Sequence, residues 1–494
     1  MIVYFFESKQ LQRFIFHTGK LREATGASEL INSLCWIEGK ELAGKAAEVS
    51  KVCGLAASVE KAAGGTVVLS ASDDQLEKLK VFRTLWRLAV SKIAPGLAFA
   101  DGIGCGEDVN EATGMAHDAL AARGPQSMDA EPLASPLIRP APRSGRSPAQ
   151  YPDWTSGGRC VITKEFSDIS CLAKRQAIKK SNDLLASRFA GVKQGEYKWP
   201  LTFQSDESNS DGPVFPFTSD NRSVALIHID GNDIGKLFQQ DGLSGDTRRA
   251  MSDALSRATI SAANAAMQPV LAEALAHVVP ARPVLLGGDD ITLIVRADLA
   301  MNFVKQYVAA FQRETEGSAA LGLQTAKAGI VFMGASQPFA QAYGLCEALS
   351  KVAKKSRESQ VSFWRLTSSM IPRNKEDLIS QSVSNGGGTH WRQAWNFDDI
   401  CALENLIHVL EMPDVGRGAM RQVPEVLKTD LVRAQALFDR ARLSLGRRRS
   451  ETLAKFDAAM RNLHVAEGSL ADPEGYCPLL DAHQLMQVTR GRSL

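Results

Sequence analysis

One local pattern occurs twice, and it restricts the fold more than any other feature of the chain. An apolar run carries an acid near its end at Val3-Tyr4-Phe5-Phe6-Glu7 and again at Leu226-Ile227-His228-Ile229-Asp230. A Gly-Gly pair between β-prone runs follows each: Ala62-Ala63-Gly64-Gly65-Thr66-Val67-Val68-Leu69, then Val284-Leu285-Leu286-Gly287-Gly288-Asp289-Asp290-Ile291. Glu7 to Gly64 is 57 positions, and so is Asp230 to Gly287. Apolar runs joined by a Gly pair read as strands in a tight hairpin. A helical pattern follows each hairpin, then a strand rich in small residues (98–105 and 326–333), then a further helix. That last helix contains Ala116-His117-Asp118-Ala119-Leu120 in one copy and Cys346-Glu347-Ala348-Leu349 in the other. The spacing predicts two copies of one α/β unit.

The copies differ in chemistry. Where the second has Asp230, Asp289 and Asp290, the first has Glu7, Thr66 and Val67. Charge between buried strands needs a counter-ion or a metal. A strand ending in one Asp, beside a hairpin bearing two more, is an arrangement that holds divalent cations near a triphosphate. Two such ions about 3.5–4 Å apart clamp the attacking and leaving oxygens of an in-line displacement. The second copy is therefore the candidate catalyst, with Asp230, Asp289 and Asp290 as metal ligands and the backbone carbonyl of Ile229 or Gly231 as a further one. The alternative is a solvated hairpin tip.

Other residues of this copy are candidates for the nucleotide. Gly287 and Gly288 permit a tight turn and a close approach of nucleotide to backbone. Gly231, Asn232, Asp233 and Gly235 form a turn into a helix whose first N–H groups suit phosphates. Asp233 is equally well explained as a helix cap. His228 reads as a core histidine. Ser28 and Thr66 are weaker candidates for contact with an acceptor nucleotide.

Composition narrows the class. Net charge is only +2, which gives no bulk argument for nucleic acid. Eight Cys are scattered with no C-x-x-C pair, as expected for reduced thiols in a cytoplasmic protein rather than a disulfide framework. No apolar run approaches a membrane span. Residues 1–128 are expected to form the first domain and 221–372 the second. Between them, 129–220 reads as a linker, with six prolines from Pro132 to Pro152 and a basic helix over 171–191. Residues 373–494 read as a helical domain, with Leu403, Leu406, Ile407 and Leu410 at helix spacing. The cluster of Arg442, Arg447, Arg448 and Arg449 reads as a solvated helix face, or as a place for RNA phosphates.

The Gly-Gly-Asp-Asp hairpin, the Asp-Gly-Asn-Asp-Ile-Gly stretch at 230–235, the duplicated unit and the helix with Lys20-Leu21-Arg22 and Gly26-Ala27-Ser28-Glu29-Leu30-Ile31 together resemble the large polymerase/cyclase subunit of type III CRISPR effector complexes. The resemblance covers roughly residues 1–370. It implies an α+β fold of two ferredoxin-like palm domains, the first degenerate and the second catalytic. The activity it implies is joining of ATP 3′ to 5′ into cyclic oligoadenylates, second messengers of antiviral defence, with Mg²⁺ or Mn²⁺ in a two-metal site. Implied partners are ATP, guide or target RNA, other subunits of an effector complex, and a second copy of the chain; no membrane is implied. In the related palm cyclases a Lys in the segment matching Ala353-Lys354-Lys355-Ser356-Arg357 contacts the triphosphate. The resemblance carries that role to Lys354, and more weakly to Arg357. A solvated basic helix end, which the helix dipole favours, is the alternative. Two departures stand out: the chain starts at the first palm, without the family's His-Asp nuclease domain, and only Cys160 and Cys171 lie where many relatives have a four-Cys zinc module. GTP-using or mixed dinucleotide synthesis, and a non-catalytic RNA-binding scaffold, remain as other readings.

Overall fold

The structure is a computed structural model. It describes residues 1–38, 41–63, 65–125, 141, 168–181, 183–203, 212–218, 222–238, 245–353, 357–367, 392–413, 415, 419–427 and 430–489. The expected domain boundaries near 128, 220 and 372 lie outside the described residues.

The first copy begins with β1 (Ile2–Lys9), α1 (Leu11–Phe16) and α2 (Leu21–Leu34). A small hairpin of β2 (Trp36–Glu38) and β3 (Glu41–Ala43) follows, then α3 (Lys45–Cys53), β4 (Ser58–Ala63), β5 (Thr66–Ala71), α4 (Leu76–Ile93), β6 (Ala98–Cys105) and α5 (Val109–Arg123). Four strands form a sheet in the order β4-β5-β1-β6, antiparallel throughout. The period of two along β1 sorts its side chains. Tyr4 and Phe6 meet Phe82 and Trp86 of α4, with ring centroids 5.6 and 5.5 Å apart. Val3 and Phe5 pack with Val68 and with Ala112 and Ala116 of α5. Burying each large side chain contributes about 1.5–3 kcal/mol, so this strand anchors the sheet.

The second copy comprises β7 (Ser223–Gly231), α8 (Ile234–Phe238), α9 (Gly245–Ala272), β8 (Ala281–Leu286), β9 (Asp290–Arg296), α10 (Ala300–Glu316), β10 (Ala326–Gly334), α11 (Phe339–Ala353) and β11 (Gln360–Arg365). Its sheet runs β11-β10-β7-β9-β8. Without β11, which pairs parallel to β10, the order is that of the first sheet. One packing detail repeats as well. A Cβ on Gly102 of β6 would lie 2.1 Å from the Ala116 carbonyl of α5, and one on Gly329 of β10 would lie 2.1 Å from the Cys346 carbonyl of α11. Helix and strand approach so closely at both places that only glycine fits. The chain is thus α+β, with two ferredoxin-like sheets and a helical C-terminal region.

The link between the copies contains α6 (Ile169–Ser181) and α7 (Leu184–Ala190), separated at Asp183, whose φ of 57° is left-handed. The basic residues of α6 work inside the protein. Lys174 donates to the Phe14 carbonyl at 2.6 Å, and Arg175 meets the fully buried Glu23 of α2 at 2.9 Å. The C-terminal region holds α12 (Phe397–Glu411), α13 (Ala419–Leu427), α14 (Leu431–Arg448), α15 (Ser450–Asn462) and α16 (Pro478–Thr489). Asn396 caps α12 by accepting from the Asp399 N–H at 2.7 Å.

By Cα proximity the chain divides into two compact units: Met1–Pro216 with Asp233–Leu293 and Ala309–Gln324, and Phe217–Asn232 with Ile294–Val308 and Thr325–Leu494. Among the described residues no helix is long and apolar enough to cross a membrane.

Candidate active site

Asp230 is the next-to-last residue of β7, and its cross-strand partner on β10 is Lys327. The Lys327 ammonium lies 2.8 Å from the Asp230 carboxylate; the lysine side chain is 2% exposed and the aspartate 32%. A buried ammonium without a counter-charge would be costly, so the register that faces the two residues is what permits this lysine within an apolar strand. The next turn of chain is held tightly. Asn232 donates through its backbone to the Thr325 carbonyl at 2.8 Å and through Nδ2 to Thr325 Oγ1 at 2.9 Å. The Thr325 hydroxyl in turn donates to the Arg357 carbonyl at 2.9 Å. Asn232 is 8% exposed, and its Oδ1 has no hydrogen-bond partner among the described residues. An orphaned buried acceptor is unusual in a folded protein and marks a place for a ligand donor, a cation or water.

The Gly-Gly-Asp-Asp stretch joins β8 to β9 as the sequence predicts. The Gly287 N–H donates to the Asp290 carbonyl at 2.8 Å and closes the turn. Thr259 of α9 donates to the Gly288 carbonyl at 2.8 Å and ties the hairpin to the helix. Neither glycine has positive φ. The requirement at 287 is space: a Cβ there would lie 1.8 Å from Asp290 Oδ1, so the Asp290 carboxylate folds back over Gly287. Nothing lies near a Cβ on Gly288. Asp289 and Asp290 are both half-buried.

The remaining candidates divide. Asp233 has φ 54°, stands just before α8 and pairs with Lys236 at 2.9 Å, as a helix-end residue does. Helix α8 has only five residues, and Gly235 has open space around it, so no close approach there demands glycine. Lys354 lies outside the described residues, while Arg357 is exposed. His228 is a core histidine, edge-on to Tyr343 at 5.6 Å. Ser28 donates to the Ala24 carbonyl of its own helix, and Arg442 pairs with Asp457 at 2.8 Å. Residues Gly231 and Ile229 end β7 beside Asp230.

Among the described residues no three His, Cys, Asp or Glu side chains form a group suited to a metal. The adjacent hairpin carboxylates do suit one Mg²⁺ or Mn²⁺, since Mg²⁺ takes one or two carboxylates and completes its shell with substrate phosphates and water. The Asp230 carboxylate already faces the Lys327 ammonium. Sequence reasoning missed Lys327. Its signal was a lone lysine in Ala326-Lys327-Ala328-Gly329-Ile330, an otherwise apolar strand.

Comparison with known proteins bears on this segment. Residues 223–361 match the Cas10/Cmr2 second palm domain. This segment is similar to a Cas10/Cmr2 second palm domain. It contains Asp230, both hairpin acids and Lys327, and it ends at the second residue of β11, so the second copy up to the start of that strand falls within it. No curated protein matches the chain. Among solved structures, Csm1 of T. onnurineus is similar at 14% identity and a TM-score of 0.57, over 99% of this chain and 69% of that one. A Csm1–Csm4 cassette in complex with cA4 is similar at 12% and 0.54, and one in complex with one ATP at 13% and 0.53; each match covers 99% of this chain and 70% of the other. At such identities the likeness establishes the fold, the one expected from the resemblance to the type III CRISPR palm subunit.

Proposed function

We propose that the chain is a nucleotidyltransferase of the type III CRISPR cyclase kind, which joins ATP 3′ to 5′ into cyclic oligoadenylate messengers. The observation that carries this reading is the asymmetry of the repeat. The copy within the matched palm segment keeps acids at 230, 289 and 290, while the other has Glu7, Thr66 and Val67. A vestigial palm has no need to keep all three. The solved relatives lend support, since Csm1–Csm4 cassettes have been seen with ATP and with cA3 and cA4.

In this reading Asp289 and Asp290 hold a Mg²⁺ or Mn²⁺ ion together with the triphosphate. Bound there, such an ion would supply Lewis-acid chemistry to an attacking 3′-hydroxyl and to the charge on the α-phosphate and leaving pyrophosphate. The chain itself does the positioning. Thr259 fixes the hairpin, the Asn232–Thr325 bonds fix the end of β7, and the Asn232 acceptor is available to a hydroxyl or amine of the nucleotide. Gly231, Gly288 and Lys354 complete the nucleotide contacts, and effector-complex subunits with guide or target RNA are the partners.

The test is a panel of ATP, GTP and equimolar mixtures with Mn²⁺, with and without RNA, followed by mass spectrometry. Cyclic oligoadenylate from ATP alone is the expected product. Guanine-containing products would replace the base assignment, and nucleotide binding without any product would favour a scaffold.

A further inference from the structure

One helix of the C-terminal region carries apolar side chains on two opposite sides. Helix α14 buries Ala434, Phe438, Ala441 and Leu445, which recur every three or four residues and form its inner face. The outer side is apolar as well. Val432 is 81% exposed and Leu443 64%. Eleven residues separate them, about three helical turns, so they share one line along the helix, with exposed Ala436 between them. A single exposed Leu is ordinary, but a second apolar stripe opposite the core is the pattern of a helix covered on both sides.

Charge beside that stripe is one-sided. Arg433, Arg440 and Arg447 are exposed and recur every seven residues, about two turns or ~10.5 Å along the axis. Their side chains have no hydrogen-bond or ion-pair partner among the described residues. Arg442, by contrast, is spent on Asp457 at 2.8 Å. The one carboxylate of the helix, Asp439, already accepts from Gln435 at 2.9 Å. The helix dipole accounts for Arg447 in the last turn. It opposes Arg433, which stands in the first turn, where its N–H donates to the capping Asp430 carboxylate at 2.9 Å.

We propose that the outer face of α14 docks an amphipathic helix of another protein chain, one whose apolar stripe is flanked by Asp or Glu at seven-residue spacing. Val432, Ala436 and Leu443 supply the apolar contact. The arginine row sets register and choice of partner, as flanking charges do in coiled coils. Seven-residue spacing suits a second helix, whose flanking carboxylates recur with the same rise. The composition of the face disfavours other occupants. RNA phosphates would use the arginines but gain nothing from exposed Val and Leu, and this face has no aromatic ring for a base to stack on. A membrane-surface helix sets Trp, Phe or several Leu against lipid, whereas this stripe has Val, Ala and a single Leu. The surface lies outside the matched palm segment, and the inference does not depend on nucleotidyl transfer.

The test uses the full chain and a fluorescent helical peptide of about three heptads, with a Leu stripe flanked by Glu; a second peptide has Lys for each Glu. Anisotropy should show the Glu peptide binding the wild-type chain, less tightly as salt rises, and the Lys peptide not binding. Arg433→Gln with Arg440→Gln and Arg447→Gln should weaken binding of the Glu peptide by about tenfold. Leu443→Ser should weaken it as well, with the salt dependence kept. Arg433→Glu with Arg440→Glu and Arg447→Glu should switch the preference to the Lys peptide. All these positions are exposed, so the variants should fold, and far-ultraviolet circular dichroism checks that they do. No binding of the Glu peptide to wild type, equal binding of both peptides, or a preference for Glu that survives the reversal would overturn the inference. A single-stranded RNA oligonucleotide and anionic phospholipid vesicles run alongside. Tighter binding of either than of the Glu peptide, lost in the Arg→Gln variant, would overturn it too and give the face to phosphodiesters or lipid headgroups.

Discussion

Two glycines inside helices should respond to alanine in opposite directions. Helix propensity favours Ala over Gly by about 1 kcal/mol at both. Gly26 of α2 faces the backbone of α6: a Cβ there would lie 1.9 Å from the Lys174 carbonyl oxygen and 2.5 Å from its carbon. Ordinary contact begins at 3.4 Å, so α6 would have to retreat by roughly 1.5 Å. The Glu23–Arg175 pair and the Lys174 bond to the Phe14 carbonyl hold it in place. Overpacking costs about 1–3 kcal/mol, towards the upper end here because backbone stands on both sides. Disturbing a buried ion pair adds to it. Gly26→Ala should therefore destabilise by about 2 kcal/mol net of propensity. Gly114 of α5 is exposed, with nothing within 4 Å of its Cβ, so Gly114→Ala should stabilise by about 0.5–1 kcal/mol. A chain of this size need not unfold in two states, so local hydrogen exchange is the suitable assay. Peptides from α2 and α6 should exchange about 30-fold faster in Gly26→Ala, and peptides from α5 about threefold slower in Gly114→Ala. Equal protection in wild type and Gly26→Ala would refute the close-packing argument.

Thiol chemistry and pH give further checks. Burial pushes the Cys35 and Cys477 thiols up to about 12 and raises Cys171 and Cys346 as well, while Cys105 and Cys401 are exposed. Iodoacetamide at pH 8 should alkylate Cys105 and Cys401 in the native protein and spare those four, as read by peptide mass spectrometry. Asp481 is fully buried, Oδ1 has no partner among the described residues, and desolvation raises its pKa well above the usual carboxylate range. A raised carboxyl favours the folded state below the unfolded pKa of about 4 and loses that stability as pH rises towards the folded value. Asp481→Asn removes the loss, so the variant should gain on wild type by up to about 1.4 kcal/mol per pH unit above pH 4, measured by urea titration of the C-terminal helices. Parallel pH profiles would contradict it.

The palm sheets were legible because their signals are local and strong. The Gly-Gly turns, the alternation of Val3, Tyr4, Phe5 and Phe6, and the small-residue strand over 98–105 each state a period or a break. The short β2–β3 hairpin and β11 were not read. Strands of three residues carry no period, and β11 exists because it adds in parallel to the buried β10 and accepts the Trp395 N–H through Val361. The basic helix over 171–191 proved to be two helices, with Lys174 and Arg175 turned inward, since composition cannot tell a solvated charge from one paired across the fold. The same limit hid Lys327. Only the register of β7 against β10 says which residue faces Asp230, and a shift of one position would send the lysine to the other face.

The measurement closest to the central claim is pyrophosphate release from ATP with Mn²⁺, in the presence of RNA and the effector-complex partners, for wild type and for Asp289→Asn with Asp290→Asn. The account predicts release coupled to cyclic oligoadenylate in the wild type and a loss of about 100-fold or more in the double variant. Equal release from the two proteins would mean that the hairpin acids do no chemistry and that the palm serves as a scaffold.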